Sequence, residues 1–264
     1  MTRLFLPPEK LTLNQIIISG DQARYLSLVL RIKPGDSLIV FDGSGYRYIC
    51  KVLQTHKKEV VVEMIKKQPY SAESPVSISL AQGLPKSDKM DLIVQKSTEL
   101  GVSKIFPIIT ERSQIKHTEK VVRWRKIALS ASQQCGREKI TEIKEPVEFA
   151  KFLSGLHIVN EDNNAANVIP EKVGTSHLNI IFSEEQKEIN LKKVLKDFKA
   201  STDIVLLIGP EGGFSGEEVS AAVEKGFIEA SLGPRVLRTE TAPIAAISII
   251  QYELGDMGLQ IFKT

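Results

Sequence analysis

Cysteine is nearly absent from this chain: Cys50 and Cys135 are the only two in 264 residues. Two isolated cysteines build neither a disulfide framework nor a zinc site, which fits a reducing compartment. Histidine is sparse too. His56, His117, His157 and His177 fall at none of the spacings that let side chains share a metal, so no metal is expected. No apolar run approaches the roughly 20 residues a membrane span requires. The stretch from Met1 to Pro8 has neither a long apolar core nor a small-residue cleavage site, so it does not read as a secretory leader, and a cytoplasmic protein is expected. A Gly-x-x-x-x-Gly-Lys phosphate loop is missing, as is a Gly-x-Gly-x-x-Gly turn after the first strand, which argues against the common nucleotide-binding folds.

What is present is an ordinary globular composition, 42% apolar and 25% charged, long enough for one large or two modest domains. The net charge of +3 hides an asymmetry. Residues 1–70 carry 11 Lys+Arg against 6 Asp+Glu, residues 71–144 carry 13 against 8, and residues 145–264 carry 11 against 18. A basic front and an acidic back suit a polyanion binder whose small-ligand site lies elsewhere; solvated surface charge is the plainer alternative.

Patterning divides the chain. Residues 1–70 read as short strands with one helix: strands at 3–6, 15–18, 37–41, 46–54 and 59–66, a helix over 21–30, and a hairpin turn at Asp42-Gly43-Ser44-Gly45. The segment Gln68 to Pro75 reads as a linker. Beyond it strands and helices alternate, which predicts a mainly parallel α/β sheet. Strands are expected at 76–81, 104–109, 157–160, 179–182 and 204–208. Helices are expected from a Ser87 cap to Leu100, from a Thr118 cap to Cys135, and over 241–254. The last of these is apolar nearly all round, with Ile244, Ile247 and Ile250 at three-residue spacing. It needs more than one apolar partner, so a homodimer is expected.

The chemistry concentrates in two glycine-rich loops. The first, Gly209-Pro210-Glu211-Gly212-Gly213-Phe214-Ser215, follows the apolar run Ile204 to Ile208, and Ser215 with Glu218 forms a capping box that opens a helix. The second is Leu232-Gly233-Pro234-Arg235-Val236-Leu237-Arg238-Thr239-Glu240-Thr241-Ala242. Strand, tight turn and helix is how α/β proteins hold ligands at strand ends, and glycine lets backbone approach the ligand closely. Glu217 and Glu218 in the first helical turn would repel a phosphate.

In order and separation these two loops resemble the 16S ribosomal RNA uracil-N3 methyltransferase family of the knotted SPOUT superfamily, enzymes that use S-adenosylmethionine (SAM). The resemblance extends to Lys86-Ser87-Asp88-Lys89-Met90-Asp91, to Gln134-Cys135-Gly136-Arg137 and to Arg24-Tyr25-Leu26-Ser27-Leu28-Val29-Leu30-Arg31. This chain departs from the family's pattern at Tyr25, Gln133 and Thr141. The resemblance implies an α/β fold in which a small PUA-like β-barrel, residues 1–70, precedes a SPOUT domain, residues 74–264, with a C-terminal trefoil knot. It implies SAM contacts, largely through backbone, at Ser183, Ile208, Gly209, Pro210, Glu211, Gly212, Gly213, Leu232, Gly233, Leu237, Arg238, Thr239 and Ala242. RNA contacts are expected at Arg3, Arg24, Arg31, Lys86, Lys89, Gln134 and Arg137. The implied partner is 16S rRNA or the small ribosomal subunit.

Methylating uracil N3 requires loss of a proton whose pKa lies well above neutral. Arg238, inside the second loop, is the leading candidate to stabilise the uridine anion, and Glu240 or Glu211 to take the proton. The competing readings are a SPOUT enzyme acting on another RNA and a non-catalytic RNA-binding assembly factor.

Overall fold

The computed structural model describes residues 2–11, 14–70, 72–156, 177–200 and 202–258. Its contacts separate the chain into two compact units, residues 1–73 with 129–140, and residues 74–128 with 141–264. The strand expected at 157–160 lies outside the described residues.

The first unit holds β1 (Thr2–Phe5), β2 (Gln15–Ser19), α1 (Gly20–Arg24), β3 (Ser37–Phe41), β4 (Tyr46–Thr55) and β5 (Glu59–Pro69). They form one sheet in the order β1-β3-β4-β5-β2, parallel only between β1 and β3. Register shifts between β4 and β5 at Ile49/Cys50 and Val52/Gln54 let two long strands curl, as bulges do. Alternate residues point inward: Leu4, Ile16, Ile18, Leu38, Val40, Cys50, Val52, Val60 and Val62 make the core, closed by Ala23 and Leu26. This is the small β unit that the strand pattern predicts.

Two details differ from expectation. The helix over 21–30 is one α turn followed by a wider π turn at Tyr25–Val29, ended by Arg31 in the left-handed region (φ 51°). β5 also continues through Pro69 into the predicted linker, because a proline at a strand's end forfeits no interior ladder bond.

In the second unit come β6 (Ser77–Gly83), α2 (Lys89–Glu99), β7 (Lys104–Ile109), α3 (Val121–Cys135), β8 (Glu142–Ile143), β9 (Val147–Glu148) and α4 (Phe149–Gly155). After them are β10 (His177–Phe182), α5 (Leu191–Asp197), β11 (Asp203–Ile208), α6 (Gly216–Glu224), β12 (Ile228–Ala230) and α7 (Thr241–Glu253). Only the first part of α3 belongs to this unit; from Leu129 it belongs to the first. The sheet order is β12-β10-β11-β6-β7-β8, with β9 beside β7, and every pairing is parallel. A parallel sheet is covered on both faces, so its strands are continuous apolar runs: Ile204, Leu206, Leu207 and Ile208 are all buried.

The order sets the site. From β6 the chain first builds outward through β7 and β8. It then crosses to the opposite side, where β11 lies between β10 and β6. Ligands in open α/β sheets bind where the strand order reverses, beyond the carboxyl ends. Here those ends are Gly83, Phe182, Ile208 and Ala230.

The cap of α2 corrects an expectation. Asp88, not Ser87, occupies the N-cap, and its side chain makes no capping bond. Ser87 takes a left-handed φ of 58°, a backbone conformation in which a serine does not cap.

Candidate functional site

Three loops converge on a cavity of about 660 Å³, namely residues 182–185 after β10, 208–213 after β11 and 231–242 after β12. Each starts at the carboxyl end of a neighbouring parallel strand, so the sheet itself brings them together. All thirteen residues assigned above to SAM line this cavity, Ser183 included.

The local chemistry explains the loop shapes. Ser215 Oγ accepts from the Glu218 N–H and Glu218 Oε2 accepts from the Ser215 N–H, so the capping box starts α6 and ends the first loop sharply. Glu218 Oε1 also accepts from the Glu111 N–H at 2.8 Å, tying that helix start to the segment after β7. Close approach accounts for two glycines. A Cβ on Gly83 would sit 2.5 Å from Pro210 Cδ, and one on Gly209 would sit 3.0 Å from Gly213 Cα. The end of β6 and the first loop therefore touch backbone to backbone.

Gln82, at 0% exposure, is a site residue that the sequence reading missed. Its Nε2 lies 3.1 Å from Gly83 O, 3.2 Å from Gly209 O, 3.4 Å from Ile208 O and 3.3 Å from Thr239 Oγ1. Thr239 Oγ1 in turn donates to Gly209 O at 3.0 Å. One buried amide thus fastens both glycine loops at their bases. The available signal was a long polar side chain following the apolar pair Leu80-Ala81 in the strand Ile78-Ser79-Leu80-Ala81-Gln82.

A charged cluster stands at the cavity rim. Lys89 Nζ lies 2.9 Å from Glu211 Oε1 and 3.3 Å from Glu240 Oε2. Glu211 also accepts from the Lys86 N–H. Partial burial pushes the Glu211 carboxyl up, but the hydrogen bonds from Lys89 and from backbone N–H groups outweigh it and hold it below the ordinary carboxylate value. Lys89 is shifted up, chiefly by its bond to Glu211, then by Glu240. Glu240 Oε2 is buried and within ion-pair range of Lys89 but outside hydrogen-bond geometry, so it is the less engaged carboxylate. Arg238 is exposed on the cavity wall, and no described residue pairs with its guanidinium. Arg112 Nη1 donates to Gly212 O at 3.0 Å.

The residues assigned to RNA do not share one environment. Arg24 and Arg31 in the first unit, and Lys86 in the second, are exposed, as is Gln134. Lys89 is in the rim cluster. Arg3 and Arg137 are taken up inside the first unit: Arg3 pairs with fully buried Glu138 at 2.5 Å, and Arg137, 5% exposed at its side chain, pairs with Glu73 at 2.7 Å. Breaking such buried pairs typically costs about 3–5 kcal/mol, so both arginines hold segment 129–140 within that unit. Among the described residues no group of His, Cys, Asp and Glu forms a metal site, and no helix is long and apolar enough to cross a membrane.

The cavity fits SAM on its own features. Backbone from tight loops rims it, Ile208, Leu232 and Leu237 offer apolar faces to a ring, and Glu211 places a carboxylate where a cation would be favoured.

Comparison with known proteins points the same way. A family model described as an RNA methyltransferase domain matches residues 72–251, and one described as an RNA methyltransferase PUA domain matches residues 18–65. The chain is 34% identical over 253 residues to the ribosomal RNA small subunit methyltransferase E of Buchnera aphidicola subsp. Schizaphis graminum, covering 94% of each. It is 30% identical over 242 residues to that of Bacillus subtilis, covering 89% of each. The crystal structure of a ribosomal RNA small subunit methyltransferase E from Neisseria gonorrhoeae bound to SAM superposes with a TM-score of 0.83 at 31% identity, over 97% of this chain and 99% of that one. A SAM-bound structure from Legionella pneumophila gives 0.82 at 33%, over 97% and 100%.

Proposed function

Because this chain belongs to the RNA methyltransferase family whose members include ribosomal RNA small subunit methyltransferase E, we propose that it methylates N3 of a uridine in 16S rRNA of the small subunit, with SAM as cofactor. The observation that carries the reading is the three-loop cavity at the strand-order reversal, with Lys89, Glu211 and Arg238 lining it and Glu240 beside Lys89. SAM, when bound, supplies a methyl group activated by its sulfonium.

The chain's own residues have the remaining work. The backbone of residues 208–213 and 232–239, fixed by Gln82 and Thr239, holds the cofactor in one orientation; orientation of that kind can supply several kcal/mol of a barrier. Arg238, unpaired at the wall, stabilises the negative charge that develops on the uracil carbonyls. Glu240 takes the N3 proton, because Glu211 is already committed to Lys89 and to the Lys86 N–H. Glu211 and Lys89 brace the rim. The target base must leave its stack to reach the cavity.

The SPOUT trefoil knot and a cytoplasmic location belong to the same reading. So does a homodimer. In α7, Ile247 and Ile250 are consumed by the unit's own core, whereas Ile249 is 39% and Tyr252 65% exposed. These two, with half-buried Ala245, form an uncovered apolar strip at helical spacing, and a second copy would cover it.

The test is Arg238→Ala. Turnover on 16S rRNA should fall on the order of 10²–10³-fold, the usual loss for one charge-stabilising donor, with RNA and SAM affinities mostly retained. Normal turnover would remove Arg238 from the chemistry.

A further inference from the structure

All five cation–π contacts among the described residues lie in one place, the end of the first unit's sheet where β4 begins and β5 finishes. Three of the chain's five tyrosines are there. The Arg47 guanidinium lies 4.1 Å from the Tyr70 ring centre, beside the Gln68 side-chain amide. Lys67 Nζ lies 4.4 Å from the Tyr46 ring and 5.3 Å from the Tyr48 ring. Behind them Arg3, committed to Glu138, lies 5.5 Å from Phe41 and 5.9 Å from Tyr70.

The register explains the cluster. Tyr46 pairs with Pro69 and Tyr48 with Lys67 on one face of the strand end, where Lys67 covers both rings, while Arg47 pairs with Gln68 on the opposite face, beside Tyr70. Its floor is fixed. The Tyr48 hydroxyl donates to Asp42 Oδ2 at 2.8 Å, and burial together with that bond pushes the phenol to about 12, so the ring stays neutral and in place. Its rim is open: Tyr46 is 40% exposed, and Lys67 is exposed. The nearby acids are already engaged, Asp42 by Ser44 and Tyr48, and Glu138 by Arg3.

We propose that Tyr46 and Lys67, with the Tyr48 ring beneath them, form a stacking platform that holds an unpaired base of the substrate RNA. Bases splayed from a single-stranded segment stack on tyrosine faces, and the cations beside the rings take the flanking phosphates. A protein partner would be expected to meet a less charged apolar patch, whereas this one is cationic and aromatic at once. The platform rests on the RNA methyltransferase reading and adds to it a substrate grip distinct from Arg24 and Arg31.

The experiment uses the full chain, with 16S rRNA transcribed without modification and a ten-nucleotide oligouridine as probes. Tyr46→Ala combined with Lys67→Gln should weaken binding of both RNAs about tenfold or more, the effect of losing roughly one stacked base. SAM affinity and melting temperature should stay at wild-type values, and Tyr46→Phe should keep wild-type RNA affinity. With 4-thiouridine in the RNA, ultraviolet cross-links should fall on the peptides carrying residues 46–48 and 67–70. Wild-type RNA affinity in the folded double variant, or cross-links confined to other peptides, would overturn the platform. If the wild-type chain methylates the RNA while the double variant binds normally, the platform alone fails; if the wild-type chain binds RNA but methylates none, the enzymatic reading fails.

Discussion

Replacing Gln82 by Met keeps the volume of the buried side chain and removes its amide. Its Nε2 faces four oxygens at 3.1–3.4 Å, three of them backbone carbonyls. Gly209 O retains a second donor in Thr239, so the carbonyls of Gly83 and Ile208 are the ones most exposed to loss. A hydrogen bond contributes about 0.5–1.5 kcal/mol net, and a buried group left unpaired costs about 1–3 kcal/mol. The distances here are long, which favours the lower half of both ranges, and a total of about 1–3 kcal/mol follows. In a domain of this size each kcal/mol lowers the melting temperature by roughly 2–4 °C. SAM affinity should fall by a larger factor than stability alone requires, because the amide spans the bases of both cofactor loops; each 1.4 kcal/mol is about tenfold. Scanning calorimetry reads the first effect and titration calorimetry the second. Thr239→Val should weaken SAM in the same way, and the double variant should lose less than the sum, since the two side chains share Gly209 O. A Gln82→Met protein with wild-type melting temperature and SAM affinity would refute the argument that this amide fastens the loops.

Gly212→Val should abolish SAM binding with the fold retained, because even a Cβ there would lie 3.0 Å from the Arg112 Cβ, and both residues line the cavity; circular dichroism and calorimetry check the two halves. The Glu211–Lys89 pair should be silent across neutral pH. The Glu211 pKa is depressed, so its contribution to stability is present above the ordinary value of 4.5 and is lost as pH falls through the folded value; the Lys89 pKa is raised, so its contribution is present below 10.5 and is lost as pH climbs through the folded value. Stability measured from pH 6 to pH 9 should accordingly show no transition that Glu211→Gln removes, whereas below about pH 4.5 the wild type should lose stability that Glu211→Gln does not. Ile249→Glu with Tyr252→Glu should yield a monomer by light scattering at micromolar concentration if α7 is the dimer seam, and a wild-type chain that is already monomeric and active would dispose of that seam.

The parallel sheet was legible because its strands are apolar runs separated by helical stretches, and the capping box at Ser215 and Glu218 marked the start of α6 without ambiguity. The glycine loops were legible because close backbone contact at Gly209 leaves no room for a side chain. Other features were not. Gln82 looks like any polar residue near a strand end until the fold brings Ile208, Gly209 and Thr239 to its amide from 126 and more positions away. Arg3 and Arg137 carry the same signature as a phosphate contact, a lone arginine in a basic region; only the tertiary placement of Glu138 and Glu73 sets them apart from Arg24 and Arg31. The grouping of 129–140 with the first unit has no local signal either, since α3 is continuous through the division. The π turn at Tyr25–Val29 keeps the apolar spacing of an ordinary helix, so periodicity could not reveal it.

The central claim is methyl transfer to uracil N3. Unmodified 16S rRNA, free or within small subunits, is incubated with the purified chain and SAM, then digested and mapped by mass spectrometry of its nucleosides. The account predicts a single new N3-methyluridine, present with the wild-type chain and greatly reduced with Arg238→Ala. A methyl group on any other atom or base, or none at all from a chain that binds both SAM and the RNA, would contradict it.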